Sequence, residues 1–281
     1  MCWALSALQA SRHFEDCCLV TDLAGAELLS GELALPFTSV STALETLNER
    51  SADPQWWVLG KLSAYAAQTE AFLHLDADVI LWKRPPSHLL QARVIAQNPE
   101  HFDFEDQSLY RADQFMRAIA ACDGWLPEAW RAYAERRRNG ALCCGIFGGA
   151  DVNFIRNYAG LAIEIIDHPR NVAAWEMIGI RDNILVEQYF LAAYIEAAAG
   201  GAADGAADGG DAAAYLFPSS QHAFDPAIAA AQGYTHLIGD AKADAEIARR
   251  VERRVLAEDP ALHHRCVRAS ESRRGILSRS I

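Results

Sequence analysis

The chain has 281 residues, 51% hydrophobic and 22% charged, which is ordinary globular composition with length enough for a substantial core. Its formal net charge of −12 excludes the basic face that non-specific nucleic-acid binding requires. The seven cysteines show no CxxC or Cys/His zinc spacing, and their odd count with adjacent pairs at 17–18 and 143–144 reads as reduced thiols in a cytoplasmic protein. The start, MCWALSALQASRHF, lacks the pattern of a signal peptide, and no apolar run is long enough to span a bilayer.

The predicted elements alternate along the chain. A helix covers residues 2–14, a β-rich run follows at 17–22 (CCLVTD), then a helix near 24–30 and an extended piece after Pro36. In residues 55–68, Trp56, Leu59, Leu62 and Ala66 recur at helical spacing. The run FLHLDADVILW holds two apolar stretches, 72–75 and 79–82, with an acidic pair between them at the end of a strand. ARVIAQN (92–98) is the next strand, and residues 99–139 are polar and helical enough to read as a helical insertion. ALCCGIFGG (141–149) returns to strand character, and helices follow at 151–167 and 182–199.

Residues 197–214 hold only Ala, Gly and Asp, a mobile low-complexity loop that cannot supply a packed core. YLFPSS and YTHLIG are short strands, 243–258 is a charged helix, and 269–281 forms a flexible tail. This alternation implies one α/β domain over residues 1–268, with a mixed, mainly parallel central sheet flanked by helices. Ligands of such sheets gather at the carboxyl ends of strands, where Asp76 and Asp78 lie.

Two carboxylates directly after a buried strand are costly unless something compensates them. The spacing of Asp76 and Asp78 lets both reach one hard cation, Mn²⁺ or Mg²⁺, with positions left open for phosphate oxygens. Alone, Asp-x-Asp also caps helices and lines turns, so the strand placement carries most of the metal reading.

The stretch GKLSAYAAQTEAFLHLDADVILWKRP (60–85) resembles the metal-binding region of GT-A-fold glycosyltransferases, above all the glycogenin-like retaining group, and an uncharacterised bacterial family related to it. In that group a basic residue on the preceding helix contacts the donor, and Lys61 holds that position. LCCGIFGG resembles the strand that carries an Asn-x-Gly sequence beside the sugar. Gly145 matches the glycine, but Cys143 stands where the asparagine is usual, and a thiol cannot both donate and accept as an amide does. Glu187-Gln188 resembles an acidic-Gln pair that sits near the reacting sugar carbon.

YTHLIGDAK resembles a His-x-x-Gly-x-x-Lys motif, with His236, Gly239 and Lys242 at matching spacing. There the histidine is a third metal ligand and the lysine reaches the diphosphate, while Gly239 permits close backbone approach to phosphate. The resemblance spans roughly residues 17–242, with the 99–139 region longer than in the group. Folds of this group open with a strand that carries the nucleotide base. This chain opens in the helix that follows such a strand, which implies an incomplete base site or a late start assignment.

The resemblance therefore implies transfer of a sugar from a nucleotide-diphosphate donor to an acceptor (glycan, lipid or small molecule), with retained configuration. Asp76, Asp78 and His236 would hold the cation, and Lys61 and Lys242 would clamp the diphosphate. Two other readings are a non-catalytic nucleotide-sugar-binding protein of the same fold and a metal-dependent phosphohydrolase. Trp56-Trp57 could stack a ring, and His74 could back the acidic pair. No Walker or dinucleotide fingerprint and no GxSxG elbow occurs.

Overall fold

The computed structural model describes residues 1–48, 56–105, 109–200 and 213–277, with residues 48, 180, 181, 240, 242 and 273–277 described by their backbone alone. In chain order the principal elements are α1 (Cys2–Ala10), β1 (Cys18–Val20), β2 (Ser39–Ser41), α2 (Trp57–Ala66), β3 (Phe72–Leu75), β4 (Val79–Leu81) and β5 (Ile95–His101). There follow α3 (Ala112–Ala121), α4 (Glu128–Glu135), β6 (Gly140–Gly149), α5 (Val152–Asp167), α6 (Phe190–Ala198), β7 (Ala214–Tyr215), β8 (Tyr234–His236), α7 (Ala245–Glu258) and α8 (Pro260–Leu277). Shorter helices and turns join them. The protein is a mixed α/β structure in which helix predominates over strand.

The described residues fall into two compact units, each drawn from separate stretches of chain. Unit 1 takes its residues from Met1–Thr46, Leu75–Arg84 and Ala229–Ile281. Unit 2 takes them from Leu47–His74 and Pro85–Ile228.

In unit 1, α1 turns Ala4, Leu5 and Ala7 into a small apolar core with Leu19 of β1, Ile80 of β4, Val251 and Val255 of α7, and Leu262 and Cys266 of α8. β1 and β2 pair in parallel, Leu19 opposite Val40. β4 and β8 pair antiparallel, Val79 opposite His236. Helix α8 runs through residues that the sequence reads as a flexible tail. Asp259 starts it by accepting the Leu262 N–H at 2.8 Å, and Leu262 and Cys266, one turn apart, anchor it in the core.

Unit 2 is built on a four-stranded sheet in the order β3-β6-β5-β7. β6 is buried from Ala141 to Gly149, and the sequence expects it to belong to one mixed, mainly parallel central sheet. The structure corrects that expectation. β6 runs antiparallel to β5, because the chain reverses through α3 and α4 between them, and only β7 joins β5 in parallel. In place of one central sheet, the described residues form three: the parallel pair β1–β2, the antiparallel pair β4–β8, and the four-stranded sheet, which mixes both directions. The 99–139 segment is also part of the core, since Phe115 and Trp130 are fully buried there.

Asp151 opens α5 by accepting the Phe154 N–H at 3.0 Å, and Arg93 holds its other oxygen at 2.7 Å. Gly148 has φ +152°, and a Cβ there would stand 2.1 Å from the Phe72 carbonyl oxygen, so only glycine lets β6 come this close to β3. The sequence predicts one helix over 182–199. A 3₁₀ turn (Ile180–Asn183) and a π turn (Leu185–Tyr189) instead precede α6. A buried carboxylate held by a half-buried cation marks each irregular turn: Arg111 forks onto Asp182, and Lys61 meets Glu187. Of the low-complexity stretch at 197–214, residues 201–212 lie outside the described residues. Among the described residues no helix is long and apolar enough to cross a membrane.

Candidate metal centre

Chain geometry brings the acidic pair to a histidine. After β3 ends at Leu75 the backbone turns tightly, with the Val79 N–H donating to the Asp76 carbonyl at 2.9 Å. Asp76 and Asp78 occupy this turn, and Asp78 is 6% exposed. The strand that follows, β4, takes β8 as its antiparallel neighbour, and the Leu237 N–H donates to the Asp78 carbonyl at 3.0 Å. That pairing carries His236 to the end of β4 where the turn begins.

The result is a compact group. Asp76, Asp78 and His236 each offer a ligand atom, and these atoms all lie within 4.8 Å of one another. Nε2 of His236 is 3.5 Å from Oδ1 of Asp78. Two carboxylate oxygens and one imidazole nitrogen at this spacing suit a single divalent cation of the oxygen-preferring kind that also accepts nitrogen. All three residues belong to unit 1.

Gly239 follows β8 with φ +57° and open space around it, and it heads a 3₁₀ turn, Gly239–Lys242. The side chain of Lys242, the expected diphosphate contact, lies outside the described residues.

The remaining expected site residues belong to unit 2, where Lys61, Glu187 and Gln188 make polar contacts. Lys61 projects from α2, and its ammonium lies 2.6 Å from Oε1 of Glu187. The same oxygen accepts the Tyr65 hydroxyl at 3.2 Å, and the Glu187 backbone carbonyl accepts the hydroxyl of Tyr158. The Lys61 cation thus meets a carboxylate of its own unit, the Glu187 that the sequence assigns to the sugar. The π turn buries Glu187 and Gln188 together. The Tyr110 hydroxyl lies against both Oε1 of Gln188 and Oε2 of Glu100, two acceptors for its one proton. Burial, and then the Glu100 carboxylate, pushes the Tyr110 phenol well above its ordinary pKa.

Cys143 and Gly145 lie buried in β6, with Cys143 opposite Asn98 in the ladder. His74, expected behind the acidic pair, packs edge-on against Tyr65 with ring centroids 5.0 Å apart. Trp56 packs edge-on against Trp175, while Trp57 lies under Lys61.

Sequence reasoning missed Tyr65, Tyr110, Tyr158 and Glu100. Tyr65 carries a local signal, since it stands four residues after Lys61 on one helix face. The other three reach these contacts from distant elements and leave no mark of spacing.

Fold and site together define a mixed α/β protein with a candidate cation centre of two aspartates and one histidine. The chain belongs to a family of unknown function, DUF6734, whose model matches residues 1–269. No curated protein and no solved structure matches it.

Proposed function

We propose that the protein is a metal-dependent glycosyltransferase that moves a sugar from a nucleotide-diphosphate donor to an acceptor, with Mn²⁺ or Mg²⁺ held by Asp76, Asp78 and His236. The observation that carries this reading is the meeting of those three side chains at a strand end. A cation bound there supplies Lewis-acid chemistry, offsetting the charge of a diphosphate as it departs.

Within each unit the chain's own residues hold the functional groups in place. The β4–β8 pairing holds the donor atoms in place before any ligand arrives, so little reorganisation is needed on binding. In unit 2, Lys61 and Tyr65 fix the orientation of the Glu187 carboxylate, and Tyr110 does the same for the Gln188 amide. Both groups are assigned to the sugar on the strength of sequence resemblance. Retention of configuration and the identity of the donor base are part of the same proposal.

A non-catalytic protein that binds a nucleotide sugar is the second reading. It is favoured by Cys143, a buried thiol where the resemblance expects an amide. Among the described residues a histidine, not a further acid, completes the Asp76–Asp78 group, which weighs against the phosphohydrolase reading.

The test is Mn²⁺-dependent turnover of a panel of nucleotide sugars, with Asp78→Ala as control. Release of nucleoside diphosphate that needs both Mn²⁺ and Asp78 supports transfer. Metal-dependent donor binding without turnover supports the second reading, and neither turnover nor binding sinks both.

A further inference from the structure

β4 and β8 are each three residues long, and an isolated two-stranded ribbon of this length is marginal. Yet the pairing of these strands sets the distance between Asp78 and His236. A slip of one residue would turn His236 onto the face now held by Thr235, because side chains alternate along a strand. The register therefore needs a lock beyond its few ladder bonds.

The structure contains such a lock on the face opposite His236. Thr235 stands across from Ile80 in the ladder, and the indole N–H of Trp82 reaches diagonally to donate to Thr235 Oγ1 at 3.0 Å. The backbone N–H of Trp82 also donates to the Gly233 carbonyl at 2.7 Å. Gly233 has φ +69°, and a Cβ there would meet the Lys83 side chain at 2.5 Å, so glycine suits this tight entry to β8. Arg254 of α7 covers the Trp82 ring, its guanidinium carbon 5.0 Å from the centroid. Trp82 itself packs against the unit 1 core. On the outer edge of β4, the ring nitrogen Nε2 of His13 donates to the Leu81 carbonyl at 3.1 Å.

We propose that Trp82 and Thr235 are positioning residues, whose side-chain hydrogen bond holds the β4–β8 register at which Asp78 and His236 can ligate one cation. The inference rests on the metal reading above. Neither residue touches the cation; each acts through the strand that bears a ligand.

The experiment uses the full chain and Mn²⁺ alone, followed by electron paramagnetic resonance, with spin-echo detection of the nitrogen of a coordinated imidazole. Thr235→Val keeps the branched shape and removes the acceptor. It is expected to weaken Mn²⁺ binding about tenfold, as loss of a ligand's supporting partner does, and to diminish the imidazole signal. Thr235→Ser restores the hydroxyl and is expected to recover both. Trp82→Phe removes the donor from the other side and is expected to match Thr235→Val. Unfolding of each variant without metal reports whether the fold is intact. Wild-type affinity and a full imidazole signal in both Thr235→Val and Trp82→Phe overturn the proposal. If the wild-type chain takes up no Mn²⁺, the metal reading itself fails and the inference falls with it.

Discussion

Lys61 Nζ lies 2.6 Å from Oε1 of Glu187, with the Glu187 side chain fully buried and that of Lys61 13% exposed. Such a pair contributes little net stability compared with apolar residues of similar size, but removing one member leaves an uncompensated buried charge. Glu187→Met is therefore expected to cost about 3–5 kcal/mol in urea unfolding. The double variant Lys61→Met/Glu187→Met should recover most of that loss. A double variant no more stable than Glu187→Met argues against a coupled pair.

The cation centre predicts a stability gain that depends on its ligands. A ligand that binds only the folded state, present at a hundredfold excess over its Kd, stabilises by about 2.7 kcal/mol. Mn²⁺ should raise the thermal midpoint of the wild-type chain, and a chelator should reverse the rise. Asp78→Asn and His236→Ala should lose the Mn²⁺ response, while Asp225→Asn, an acid at the start of the short helix Pro226–Gln232, should keep it. Equal Mn²⁺ responses in all these proteins would place the bound ion elsewhere.

Asp151 caps α5, and Asp151→Ala should cost about 1 kcal/mol. The N–H of Phe154, and then Arg93, hold the Asp151 carboxyl below its ordinary value of 3.8. A carboxyl with a lowered folded pKa stabilises the fold fully above its unfolded value, and that contribution fades as pH falls through the folded value. The gap between wild type and Asp151→Ala should thus be constant above about pH 5 and narrow as the pH drops below 3.8. A gap that stays constant down to pH 2 would mean that the carboxylate charge plays no part.

Gly148 tests the close approach of β6 to β3. Gly148→Ala places a methyl group against the Phe72 carbonyl and forces an alanine to φ +152°. Backbone strain of this kind costs about 1–3 kcal/mol before the clash is counted. The loss should appear in the unfolding midpoint of the purified variant.

The acidic turn was legible in sequence because two apolar runs frame it, and a turn between them can be read from local pattern alone. His236 joined it only through resemblance, since 158 residues, 236 less 78, separate it from Asp78. The direction of β6 was not legible, because burial on both faces erases the alternation that marks many antiparallel strands. The turns before α6 were hidden for a different reason. The apolar residues of 185–191 suit a regular helix as well as a π turn, and the irregularity accompanies half-buried partners, Lys61 and Arg111, that lie far off in the chain.

The interleaving of the two units bears on the order in which they can form. During synthesis, all of unit 2 has been made once Ile228 is added. Unit 1 must wait for β8, α7 and α8, which supply His236 and much of its apolar core. Its first segment, including α1, therefore waits while all of unit 2 is made before the neighbours that will bury Leu5 and Leu19 emerge. The cation centre can thus assemble only after all of unit 2 has been made. A ribosome that stalls shortly after residue 228 would release a chain with a complete unit 2 and an exposed, unfinished unit 1, a form suited to chaperone capture.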